Sequence, residues 1–125
     1  MQKCFFLLLA VWLFSCTKKK EDTNPPGLTV MAPTEGQVKN YLDLNFTFGD
    51  YYLASVDLSI VKSADNSVLF TRHNTYSTVQ DDSFSTGFTL SSLGLSTTTA
   101  LKVMITVKDD FGNTTSKTIN CTITP

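Results

Sequence analysis

The stretch "YLDLNFTF", residues 41–48, alternates without a break, with Leu42, Leu44, Phe46 and Phe48 on one side and Tyr41, Asp43, Asn45 and Thr47 on the other. Successive side chains of an extended strand point to opposite faces, so a run of this kind buries one face and leaves the other in water. The same period recurs in "LKVMITVK" (101–108), "ASVDLSI" (54–60), "TINCTIT" (118–124) and "FSTGFTL" (84–90). Two shorter runs, "LTVM" (28–31) and "VLFTR" (68–72), bring the strands to seven. No segment repeats apolar residues at helical spacing, so no helix is expected. Turn formers fall between the runs, at Glu35-Gly36, Gly49-Asp50, 64–67, Leu93-Gly94 and Phe111-Gly112-Asn113. A longer polar stretch, 73–83, has room for an irregular edge strand. Half-buried strands spread over about 100 residues predict two packed antiparallel sheets, an all-β fold.

The N-terminus follows another rule. After Lys3, "CFFLLLAVWLF" (4–14) is an unbroken apolar run. It is too short to span a bilayer, which takes roughly 20 apolar residues, and it has the length of an export-signal core. Leu13-Phe14-Ser15-Cys16 then resembles the lipobox of bacterial lipoproteins, with Phe14 where that family usually carries a small residue. The resemblance implies a signal peptide over 1–15, cleavage before Cys16, and diacylglycerol and palmitate-type acyl chains on that cysteine. Several chains anchor stably where one is marginal. "TKKKEDTNPPG" (17–27) has mixed charge, no periodicity and a Pro-Pro-Gly stop, so 16–27 is expected to be a flexible tether carrying the lipid. Within it, Lys20-Glu21-Asp22 resembles the lysine-plus-acidic signal that sorts some lipoproteins to the outer cell surface. These resemblances imply an outer-membrane lipoprotein of a Gram-negative bacterium, with surface display as a further expectation.

For the domain, 28–125, "VMAPTEGQV" (30–38) and "VKDDFGNTTSKTI" (107–119) resemble the first and last strands of immunoglobulin-like or fibronectin-like modules in short bacterial lipoprotein families. The fold implied is a seven-stranded antiparallel immunoglobulin-like β-sandwich. The pair of cysteines flanking a core tryptophan is missing, because Trp12 belongs to the signal. With Cys4 removed and Cys16 lipidated, Cys121 remains alone, in the inward register of Ile119 and Ile123, as a buried thiol. Stability then rests on apolar burial, about 1.5–3 kcal/mol for each fully buried Leu, Ile or Phe.

In a fibronectin-like arrangement the loops 49–53, 73–83 and 109–113 share one end, beside the start of the first strand and hence the tether. Tyr51, Tyr52, Tyr76 and Phe111 are the candidate ligand contacts there, through aromatic faces that suit sugar or protein. Asp50, Asp81, Asp82, Asp109 and Asp110 form a weak calcium candidate. They lack the spacing of a calcium loop, and acidic residues are common turn formers, so no metal and no cofactor are expected. His73, the only histidine, is expected to be solvated. No nucleophile elbow, phosphate loop or zinc spacing occurs, so no enzyme is expected. From Gly27 onward six Lys/Arg stand against nine Asp/Glu, which excludes a basic nucleic-acid footprint. The expectation is a lipid-anchored cell-envelope protein acting as a non-catalytic binding or adhesion module for a protein or glycan ligand. The alternative is a structural or accessory subunit of an envelope uptake or secretion complex.

Overall fold

The period-two runs become strands in a computed structural model of the protein, which describes residues 21–125. The expected signal peptide, Cys16 and Lys20 lie outside the described residues. In chain order the strands are β1 (Gly27–Ala32), β2 (Gln37–Lys39), β3 (Tyr41–Gly49), β4 (Leu53–Lys62), β5 (Val68–Thr75), β6 (Asp81–Thr89), β7 (Thr99–Asp109) and β8 (Thr114–Ile123). The described residues contain no α-helix, only a 3₁₀ turn at Ser91–Leu93, and so no helix long and apolar enough to cross a membrane. Three strands form one sheet in the order β1-β3-β6, and five form the other in the order β2-β8-β7-β4-β5.

Register follows the alternation. Leu42, Leu44, Phe46 and Phe48 of β3 are buried, as are Leu101, Val103, Ile105 and Val107 of β7, and these residues of the two sheets share one core. Val56, Leu58 and Ile60 of β4 and Ile119, Cys121 and Ile123 of β8 complete it. Burial pushes the Cys121 thiol up to about 11, with the Glu35 carboxylate adding to the effect, so the sulfur stays protonated at neutral pH. A one-residue slip in β3 would turn its whole apolar set to water, which is why alternation alone determines the facing.

The architecture departs from a purely antiparallel, seven-stranded arrangement in one place. An eighth strand, β2, pairs with β8 in parallel, so the larger sheet is mixed. The first strand read from the sequence is thus divided between the sheets. Met31 is an extra residue in β1, which pairs Val30 with Phe46 and Ala32 with Asn45, and the chain then crosses over through a cis Ala32-Pro33 peptide. Gly36, at φ 73°, makes the turn in the left-handed region that a side chain resists. The Glu35 carboxylate accepts from both the backbone N–H and the Nδ2 of Asn120, at 2.9 Å each, and holds β2 against β8.

The polar stretch 73–83 also resolves into structure, since β5 runs on to Thr75 and β6 begins at Asp81. These two edge strands lie on the same open side of the sandwich, and side chains close the seam between them. Phe70 packs on Phe88 with ring centroids 4.8 Å apart, and the Arg72 guanidinium lies 4.8 Å from the Phe84 ring centre. The Tyr76 hydroxyl donates to Asp82 Oδ2 at 3.0 Å. On the outer face of the smaller sheet Tyr41 lies over Gly87, where a Cβ would fall 1.7 Å from its hydroxyl oxygen. The glycine is therefore required by the ring, which covers a sheet position without a side chain.

Candidate functional site

The three loops expected to share one end do so. Asp50 N–H donates to the Gln80 carbonyl at 2.7 Å, tying 50–52 to 76–80, and Asp110 N–H donates to the Tyr52 carbonyl at 2.8 Å, tying it to 110–113. Each turn is also closed from within. Asp50 Oδ1 accepts the Tyr52 N–H at 2.8 Å. Asp109, only 1% exposed, accepts from the Phe111 and Asn113 N–H groups through Oδ1 and from Asn113 Nδ2 through Oδ2, at 2.7–2.9 Å. A buried carboxylate is tolerated when its charge is matched by hydrogen bonds, and three N–H donors do this here.

Three of the four expected aromatic contacts form a file across this end. Tyr51 meets Tyr52 edge-on at 4.7 Å, and Tyr52 meets Phe111 edge-on at 4.9 Å. Tyr51, at the end of the file, is 70% exposed. A groove of about 220 Å³ runs beside it, lined by Tyr51, Tyr52, Thr78, Val79, Gln80 and Asp110 among others. Tyr76 stands apart. Its ring packs edge-on against Phe48 at 5.7 Å, and its hydroxyl is taken by Asp82, so it belongs to the seam. Its partial burial and that acidic neighbour raise its pKa, while the nearby Asn74 and Arg72 side chains oppose the rise.

The acidic residues divide differently from the sequence expectation. Only Asp50 and Asp109 of the five come together, and the third member of their group is Asp22, with carboxylate oxygens all within 4.8 Å of one another. Asp82 accepts from Tyr76 and from the Ser83 N–H, away from that group. Hydrogen bonds already engage each carboxylate of the trio, since Asp22 Oδ1 accepts the Asn24 N–H at 2.9 Å. The trio is a set of turn-closing carboxylates.

Asp22 is there because the chain before β1 is bonded to the domain. Asn113 Nδ2, besides reaching Asp109, donates to the Asp22 carbonyl at 2.8 Å, and Thr115 Oγ1 donates to the Pro26 carbonyl at 2.5 Å. Pro26 itself is buried. Within the expected tether, then, the stretch from Asp22 to Pro26 lies along the β7–β8 turn. Asn113 and Thr115 were not singled out from the sequence for this role. Their only local signal is the four-residue spacing of Asp109 and Asn113, which marks a turn and says nothing of a distant strand-leading segment.

His73 sits on β5 with its Nδ1 2.5 Å from Asp57 Oδ1 on β4, both side chains more than half exposed. Among the described residues no hydroxyl or thiol is hydrogen-bonded to its Nε2.

No family model matches the chain, and no curated protein matches it. Among solved structures, wild-type OgpA from Akkermansia muciniphila is similar with a TM-score of 0.50 at 11% identity, over 79% of this chain and 29% of that chain. An engineered protein is similar with a TM-score of 0.49 at 15% identity, over 80% of this chain and 20% of that one. The chain thus spans less than a third of the length of these structures, and the likeness to wild-type OgpA is one of fold alone.

Proposed function

We propose that the protein is a lipid-anchored component of a Gram-negative cell envelope, held at Cys16, whose single domain is a non-catalytic binding or adhesion module. The fold underneath is proposed to be an immunoglobulin-like variant in which the first strand is shared between the two sheets as β1 and β2. The observation that carries the binding reading is the aromatic file ending at Tyr51, exposed beside a groove with polar lining. Aromatic side chains bury a large area with little loss of rotamer freedom, which makes an exposed, ordered one a contact element. Among the described residues no hydroxyl or thiol is hydrogen-bonded to the His73–Asp57 pair, and the carboxylates of the trio are engaged in closing turns, which favours a non-catalytic role.

The accessory-subunit reading calls for an apolar sheet face or an unpaired edge strand awaiting a partner. The outward residues of the larger sheet include Asp57, Lys108, Thr118 and Asn120, and those of the smaller sheet include Asp43, Thr47, Ser83 and Ser85, all exposed and polar. The sheet faces thus argue against that reading, while the edge strands β1 and β2, with Met31 and Val38 exposed, fit it; the ordered aromatic file is what favours binding through the loop end.

The test is a comparison of wild type with Cys16→Ser and Tyr51→Ala in cells. Wild type is expected in the membrane fraction and labelled by a fatty-acid probe, and Cys16→Ser unlabelled. Tyr51→Ala is expected to keep the label and lose adhesion to glycan- or protein-coated surfaces. Labelling that persists in Cys16→Ser contradicts the anchor, and adhesion unchanged in Tyr51→Ala contradicts the contact.

A further inference from the structure

We infer that the aromatic loop end is the face that meets the bilayer, with Tyr51 and Val79 seated in the interface of a zwitterionic lipid surface. This rests on the lipid anchor at Cys16 and takes the lipid surface, in place of an external protein or glycan, as what the Tyr51 end contacts.

The argument begins where the chain leaves the domain. The Asp22 carbonyl is held by Asn113 and the Pro26 carbonyl by Thr115, so the path toward the N-terminus departs beside the β7–β8 turn at Glu21. Five residue steps separate Glu21 from Cys16, a reach of about 18 Å when fully extended. The opposite end of the sandwich lies a full strand away, and an eleven-residue strand such as β7 extends about 35 Å. A domain docked on its own leader therefore presents the loop end to the membrane, and the other end cannot take its place without releasing those two hydrogen bonds.

That end is chemically suited to the position. Tyr51 is 70% exposed and Val79 is 44% exposed, and both line the same groove. Tyrosine has an apolar ring and a polar tip, the combination enriched where hydrocarbon gives way to headgroups. Anchoring by acyl chains makes the contact intramolecular, so even a weak interfacial preference is populated.

Charge decides which lipid. Glu21, Asp22 and Asp50 stand around the exit, and Asp81 and Asp110 lie on the same loop end. The domain's own surface here is acidic and is repelled by anionic headgroups, so the contact depends on Tyr51 and Val79 and favours zwitterionic lipid.

Trp12 is the chain's single tryptophan and lies in the expected signal, so an introduced tryptophan reports alone in the processed protein. The experiment uses full-length, processed protein in phosphatidylethanolamine–phosphatidylcholine vesicles doped with brominated lipid, with lipid at Cys16 verified by mass. Val79→Trp and the conservative Tyr51→Trp are compared with Val68→Trp, an exposed position at the far end of the sandwich. The first two are expected to lose most of their fluorescence and Val68→Trp almost none, with the quenching insensitive to salt and weaker in vesicles rich in phosphatidylglycerol. Lipid present at Cys16 with all three tryptophans equally unquenched overturns the membrane contact and leaves the anchor standing. A Val79→Trp signal that ignores brominated lipid but responds to soluble glycan or protein also overturns it, in favour of a ligand site. A protein without lipid at Cys16 overturns both.

Discussion

At the loop end that carries Tyr51, the turns are bonded to one another and to the chain that precedes the first strand. Asp50 reaches Gln80, Asp110 reaches Tyr52, and Asn113 and Thr115 reach Asp22 and Pro26. At the other end the turns largely close on themselves or on an adjacent strand. Asp65 Oδ1 accepts from Ser67, Lys62 N–H donates to the Ser67 carbonyl, and Thr89 and Ser92 exchange hydrogen bonds across the 3₁₀ turn. The far turns are bonded to neighbouring strands more than to one another, as when Gly36 N–H donates to the Asn120 carbonyl, Ser63 N–H to the Ala100 carbonyl and Lys102 Nζ to Asn66 Oδ1. The near turns form one interlocked surface, and altering one residue there is felt by several chain segments. Ordered side chains on such a surface hold a fixed arrangement, which a contact face requires.

The comparison can be broken or sharpened by substitution. Phe46, between both ends in the core and 1% exposed, sets the scale: Phe46→Ala is expected to cost about 3–5 kcal/mol in denaturant unfolding, a large part of a total of about 5–15 kcal/mol. Asp109→Ala comes next at about 3 kcal/mol, because it strands three N–H donors at a buried position. Asp109→Asn keeps the Oδ1 acceptor and is expected to lose less. A cost for Asp109→Ala below that of Ser92→Ala at the far turn would remove the asymmetry between the ends.

How much of this was legible from the sequence depends on the range of the interactions. The buried faces of β3, β4, β7 and β8 were legible because a half-buried strand writes its facing into every second residue. β2 was not, since three residues, with Val38 63% exposed, cannot show a period, and its partner β8 lies some eighty positions away. The ends of β5 and β6 were hidden because edge positions such as His73 and Ser83 are polar on the solvent side, and the seam that orders them is built from pairs like Arg72 and Phe84. Convergence of the three loops was implied by the resemblance to a fibronectin-like arrangement. The grouping of Asp22 with Asp50 and Asp109, and the engagement of Tyr76 by Asp82, depend on contacts between distant segments that no local pattern encodes.

A smaller effect is expected from Asn113→Ala, about 2 kcal/mol of stability, because its Nδ2 donates both to the Asp22 carbonyl and to the buried Asp109 carboxylate. Its sharper readout is proteolysis after Glu21, which should accelerate in Asn113→Ala and stay unchanged in Ser92→Ala. The smallest effect belongs to Glu35. The two Asn120 donors hold its carboxylate below the ordinary value of 4.5, so its contribution is complete above about that pH and is lost as pH falls through the lowered folded value. Because the group is fully exposed, the effect should be visible only as a slight difference in acid unfolding between wild type and Glu35→Gln. A difference of opposite sign, with Glu35→Gln less stable only at the lowest pH, would contradict it.

The most direct test of the account is whether the leader is fixed to the loop end in the anchored protein. Spin labels at Thr23→Cys and Val79→Cys, with Cys16 lipidated and Cys121 buried, report the distance between leader and loop by pulsed dipolar spectroscopy. The account predicts one narrow distance distribution in wild-type background, broadened when Asn113→Ala and Thr115→Val are combined. A distribution already as broad in the wild-type background as in the double variant would show an undocked leader and contradict the claim.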